Sequence, residues 1–209
     1  MPAENTNRVE RLEQLKKEAA GCRRCDLWKN ATQTVFGQGP VNARIMLVGE
    51  KPGDQEDRQG HPFVGPAGRI LDKGLAESGL RRENAYVTNA VKHFKWVPRG
   101  ARRQHRSPDT NEIKACRYWL EREIDLIRPK LIIAMGTTAA RSVFGKATPI
   151  NKNRGRFFPF ADDMYAAVTV HPSSLLRIPD REDRHKKFAM FVQDFARCEE
   201  FLAREMETV

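Results

Sequence analysis

RIMLVG at residues 44–49, followed at once by the turn Glu50-Lys51-Pro52-Gly53, is the stretch that decides the fold. An apolar run of strand length without polar alternation is the pattern of a strand covered on both faces. Similar runs return at 85–89 (AYVTN), 130–135 (KLIIAM) and 164–170. Helical patterns separate them. One begins near Pro66. The next, over 109–127, carries Ile113, Cys116, Leu120, Ile124 and Ile127 on one stripe, opens at Ser107-Pro108-Asp109 and stops at Pro129. Residues 136–144 read as another helix. An amphipathic helix over 8–20 bears Val9, Leu12 and Leu15, and a long charged helix over 181–205 ends the pattern. Residues 92–108 read as a basic loop. Strands alternating with helices predict an α/β chain, a three-layer α/β/α sandwich around a mostly parallel, four-stranded sheet.

Working outward, 209 residues suffice for one domain spanning 1–209, with 1–20 as a helix leading into a C-x-x-C. In a parallel sheet the ligand crevice lies beyond the carboxyl ends of the strands. The segments expected there are 50–65, 89–106, 136–137 and 171–177, and they hold most of the unusual polar residues. No apolar run reaches the roughly 20 residues of a membrane span, and the first residues hold no apolar core of a secretory signal, so a cytoplasmic location is expected.

Lys plus Arg number 37 against 27 Asp plus Glu, a net charge of +10 with a pI near 9.7. A folded chain this basic should present a basic face to a polyanion, and nucleic acid is the commonest one. RGARRQHR at 99–106 is the densest cluster of this charge. Cys22 and Cys25 form the C-x-x-C; Cys116 lies on the 109–127 helix and Cys198 on the last. In a reducing compartment such spacing reads as metal, cluster or redox chemistry. A redox dithiol normally follows a strand, whereas this one follows a helix, which favours a metal or iron–sulfur site.

GEKPGDQEDRQGHPFVGPAG (49–68), VTNAVK (87–92) and HPSSLLR (171–177), together with the C-x-x-C, resemble the uracil-DNA glycosylase superfamily and most closely its iron–sulfur family 4. The resemblance runs from about residue 21 to 195. Where family 4 has Cys after VVK, this chain has His93, and the following loop contains Arg102-Arg103-Gln104-His105-Arg106. Both features are similar to the UdgX subgroup, which becomes covalently attached to the DNA it has acted on.

The resemblance implies a uracil-DNA glycosylase fold and a [4Fe–4S] cluster held by Cys22, Cys25, His93 and Cys116; Cys198 stands outside that set. It implies a uracil pocket formed by Gly49, Lys51, Asp54, Phe63 and Asn89. Phe63 would offer an aromatic face, and Asn89 an amide that pairs with uracil and rejects cytosine. His171 would donate to the uracil oxygen as charge develops there, and Glu50 would stabilise the sugar cation. Asp54, Glu56 and Asp57 are alternatives to Glu50, the last two fitting better as a solvated acidic loop. His105 would attack C1′ in place of water and end turnover. Arg102, Arg103, Arg106, Ser173, Ser174 and Arg177 would contact phosphates, with Leu175 and Leu176 wedging into the base stack.

Lys51 departs from relatives that carry Ala or Gln, and Ala101 and Gln104 replace the Lys and Ile of the subgroup's loop. A monomer acting on single- or double-stranded DNA is expected. Two rivals stay open. One is an ordinary family-4 enzyme that uses water; the other is a non-catalytic iron–sulfur or zinc module that binds nucleic acid.

Overall fold

The computed structural model describes residues 2–207, with the side chains of 5–205. In chain order the elements are α1 (Pro2–Ala20), β1 (Ile45–Gly49), α2 (Asp54–Gln59), α3 (Pro66–Glu77), β2 (Ala85–Asn89), β3 (Trp96–Arg99), β4 (Arg102–His105), α4 (Thr110–Ile127), β5 (Leu131–Met135), α5 (Thr137–Phe144), α6 (Ile150–Asn153), β6 (Phe157–Ala161), β7 (Met164–Thr169), α7 (Pro172–Leu176) and α8 (Arg181–Glu207). The main sheet has the order β2-β1-β5-β7-β6. The four strands expected from sequence are neighbours and run parallel.

The sheet has five strands rather than four. β6 pairs antiparallel with the outer edge of β7 through a turn at Asp162, whose φ is +43°. FFPFA escaped notice because it is only partly buried and carries Pro159, which is tolerated in an edge strand.

Side-chain alternation divides the interior into two layers. Met46, Val48, Ile132, Ala134 and Val168 meet Leu120, Ile124 and Ile127 of α4 and Ala139 and Val143 of α5. Ile45, Leu47, Val87, Ile133 and Met135 meet Leu71 and Leu75 of α3 and Phe191 and Phe195 of α8. Each of the larger side chains taken from water contributes about 1.5–3 kcal/mol, so these faces fix the three-layer arrangement. Asp109 caps α4 by accepting from the Asn111 and Glu112 N–H groups, and Glu112 reaches back to the Asp109 N–H.

The expected basic loop contains a hairpin. β3 and β4 pair Trp96 with His105 and Arg99 with Arg102 around Gly100-Ala101. Gly100 takes φ +56°, the left-handed geometry that a two-residue hairpin turn needs at its first position. Polar strands and Pro98 hid it, although four residues on each side of a Gly-containing turn were a usable signal.

Candidate active site

β1 leads toward α3 on one face of the sheet, whereas β5 leads into α5 on the other. The crevice of such a fold opens where neighbouring strands diverge in this way. There the structure has a cavity of about 780 Å³ whose lining includes Glu50, Lys51, Asp54, Phe63, Asn89, His105, His171, Ser173, Ser174, Leu176 and Arg177. Widely separated sequence segments thus converge on one opening.

Asn89 ends β2 opposite Gly49 of β1. It is buried, and among the described residues its side-chain oxygen has no hydrogen-bond partner. An unpaired buried acceptor is costly, on the order of 1–3 kcal/mol, and calls for a donor from a ligand. A Cβ on Gly49 would lie 2.4 Å from Asn89 Oδ1 and 2.5 Å from the Phe63 ring, so only glycine lets these two side chains approach. Phe63 holds a left-handed φ of +56°, uncommon for a bulky residue. Arg82, which sequence reasoning missed, clamps that turn: its guanidinium donates to the carbonyls of Phe63 (3.1 Å) and Pro62 (2.8 Å) and pairs with Asp72.

His171 caps α7, and its ring centroid lies 5.9 Å from that of Phe63. The Ser173 N–H donates to His171 Nδ1 at 3.2 Å, which leaves the ring proton on Nε2. Burial, reinforced by the charges of Lys51 and Arg177, lowers its pKa to about 4. The imidazole is therefore neutral at physiological pH.

Not every residue expected on the DNA side of this segment faces outward. Leu175 is buried in the layer beneath α3 and α8, so it cannot act as a wedge, because helical spacing turns one of two adjacent leucines inward. Leu176 is 44% exposed and remains free to do so. The hydroxyls of Ser173 and Ser174 are engaged locally, with His171 Nδ1 (2.8 Å) and the His171 carbonyl (2.7 Å). Arg177 is exposed at the rim.

On the opposite rim, Thr138 donates to Glu50 at 2.8 Å. Glu56 and Asp57 are not solvated, as had been expected, but buried. Glu56 accepts from the Gly53 and Gly65 N–H groups and closes the loop on itself. Asp57 accepts from the Thr32 N–H and hydroxyl and from Arg103. Arg103, expected on phosphate, instead ion-pairs inward with both Asp54 (2.5 Å) and Asp57 (2.6 Å), because two carboxylates of α2 face the hairpin. Asp54 also pairs with Arg58.

Arg99, Arg102 and Arg106 are exposed. Trp96 anchors the hairpin by donating to the Asn30 carbonyl at 2.8 Å. His105, at the end of β4, packs edge-on against Phe94 with ring centroids 4.7 Å apart and faces the cavity mouth. Partial burial lowers its pKa, and the charge of Lys51 lowers it further.

Sequence reasoning also missed a buried pair behind Asn89. Glu123 of α4 is fully buried and accepts from the Gly37 N–H and the hydroxyls of Tyr86 and Thr88, and it pairs with Lys92. Lys92 Nζ also donates to the Asn89 carbonyl at 2.8 Å, so this network holds the backbone that presents the amide. A Glu three turns into an amphipathic helix resembled a surface residue; only the fold brings it to a lysine 31 positions away.

Cys22, Cys25 and Cys116 gather in a third packed cluster with Leu27, Phe36 and Trp119. The Trp119 indole N–H donates to Cys22 Sγ (3.0 Å), and the Lys92 N–H donates to Cys116 Sγ (3.2 Å). His93 is buried beside the Thr34 hydroxyl, while its Nδ1 has no partner. Among the described residues, no group of three or more His, Cys, Asp or Glu is placed to hold a metal ion. Cys198 lies in the other layer, with Phe195 and Leu202, apart from these thiols. No helix of the described chain is long and apolar enough to cross a membrane.

Comparison with known proteins agrees with this geometry. Residues 36–196 match the model of the uracil DNA glycosylase superfamily. The chain is similar to the type-4 uracil-DNA glycosylase of Thermotoga maritima, 37% identical over 199 residues that cover 95% of this chain and 98% of the relative. Similar proteins of the same description occur in Sulfurisphaera tokodaii, 36% identical over 82% of this chain and 79% of the relative, and in Archaeoglobus fulgidus, 32% identical over 96% and 98%. With its site at the strand ends where these matched segments meet, the chain belongs to the uracil-DNA glycosylase superfamily.

Proposed function

We propose that this protein excises uracil from DNA and then joins His105 to C1′ of the sugar left behind. The observation that carries the first half is the buried, unpaired Asn89 oxygen beside Phe63 and a neutral His171. Uracil offers an N3–H to that oxygen, whereas the N3 of cytosine carries no proton and would set a lone pair against it. Phe63 supports the extruded base, and His171 Nε2–H donates to the uracil oxygen on which charge collects as the C1′–N1 electron pair leaves. Glu50 faces the resulting positive character at C1′.

The second half rests on His105 at the cavity mouth. A neutral imidazole nitrogen uses its lone pair to bond C1′, the ring then loses its other proton, and uracil takes one up. Gln104 packs within the hairpin opposite Val97. The backbone ladder and Arg103 hold the loop that the missing Ile would otherwise pack. Arg99, Arg102, Arg106 and Arg177 meet phosphates, and Leu176 serves as the wedge.

A [4Fe–4S] cluster would sit in the third packed region, with Cys22, Cys25, His93 and Cys116 as the residues that would hold it. The orphaned His93 Nδ1 and the N–H groups aimed at two sulfurs favour that set, and a cubane spaces its ligands more widely than one ion does. There it would tie α1, the root of the hairpin and α4 together.

The test is a denaturing gel after incubation with DNA containing one uracil. Wild type should give a protein–DNA species stable to heat and detergent, absent with cytosine or thymine at that position. His105→Gly should instead release DNA with an alkali-labile abasic site. A wild type that processes many uracils with no covalent species would return the protein to the water-using reading.

A further inference from the structure

Lys51 lines the cavity, and the proposed excision gives its amine no role. Among the described residues its ammonium makes no hydrogen bond or ion pair; it lies 5.1 Å from the centre of the Phe94 ring, the same ring against which His105 packs. Lys51 and His105 therefore share one wall of the cavity, next to Glu50. Other lysines near the site are engaged: Lys92 with Glu123, and Lys95 with Asp109 and Glu112. If the cavity receives the sugar of an extruded nucleotide, such an amine meets a carbonyl whenever the base is already gone, because an abasic sugar opens to an aldehyde at C1′.

We propose that the Lys51 amine condenses with the C1′ aldehyde of abasic DNA to form an imine, a second covalent chemistry directed at DNA that has lost its base. The inference rests on the reading that this cavity receives the sugar of an extruded nucleotide. The nitrogen lone pair adds to C1′, and the aldehyde oxygen takes up a proton to give a carbinolamine. Loss of one water then leaves a protonated C=N bond. No oxidant or reductant is needed, and water reverses the step. Burial lowers the Lys51 pKa, against the opposing pull of Glu50 and Glu56, and so enlarges the share of free amine. The same positive charge lowers the pKa of both His105 and His171, which line the cavity with it.

The test uses the full chain and a duplex oligonucleotide carrying one preformed abasic deoxyribose, with sodium borohydride present to reduce any imine to a stable amine. Wild type should give a cross-linked band on a denaturing gel, with the mass label on the peptide containing Lys51. Lys51→Gln and Lys51→Arg, neither of which can form an imine there, should lower the yield about tenfold or more. Thermal unfolding of both variants checks that they fold. A tetrahydrofuran site, which has no aldehyde, should give no band. No band with wild type, an undiminished band in the variants, or a label on the N-terminus or another lysine would overturn the proposal. Because the substrate is already abasic, failure to excise uracil cannot abolish this signal, and a successful excision assay cannot produce it.

Discussion

Two Lys–Glu combinations flank the same end of the sheet and behave oppositely. Lys92 and Glu123 are fully buried, and every polar atom named there has a partner: the Gly37 amide, two hydroxyls, the Asn89 carbonyl and each other. Glu50 and Lys51, adjacent in sequence, open into the cavity, with Thr138 donating to Glu50 and, among the described residues, no side-chain hydrogen bond to Lys51. A satisfied buried network holds a backbone still, whereas an under-satisfied one is poised for a ligand. The first pair fixes the position of Asn89; the second leaves its charged groups open to the cavity.

Removing one member of the buried pair should produce the largest effect. Glu123→Ala leaves Lys92 charged and unpaired and should destabilise the fold by about 3–5 kcal/mol in denaturant titration. Glu50→Gln should change stability by less than about 1 kcal/mol while slowing both excision and capture. Equal losses of stability in the two variants would erase the distinction.

His171 sharpens the cavity side of the comparison. His171→Ala should lower the single-turnover excision rate on the order of 10²–10³, as loss of other oxyanion donors does. Its folded pKa of about 4 lies below the ordinary 6.5, so between these values the unfolded chain binds the proton more readily. The stability present above pH 6.5 should decline as pH falls toward 4, and His171→Gln should flatten that part of a melting-temperature profile.

The smallest effect separates two neighbouring arginines. Arg102→Ala should reduce the salt dependence of DNA binding by about one unit of slope, since an exposed guanidinium that neutralises a phosphate releases a counterion. Arg103→Ala should leave that slope in place and reduce capture by loosening the hairpin from Asp54 and Asp57. A reversed result would place Arg103 on DNA.

The chain by itself determined the parallel strands, because unbroken apolar runs such as 45–49 and 131–135 have only a two-sided interior to occupy. Its resemblance to a known family also singled out Glu50, Asn89 and His171 as candidates, and their motifs stand at strand ends. Only the tertiary structure decided which charged residues face solvent and which face the protein. Arg102 and Arg103 are one position apart in the same basic run, yet strand alternation sends one outward and draws the other between two carboxylates contributed by a distant helix. Leu175 and Leu176 divide in the same way. Glu123 and Lys92 carry no local sign of burial, since a charge is tolerated inside only when partners from several segments arrive together, and that assembly exists only in the folded chain.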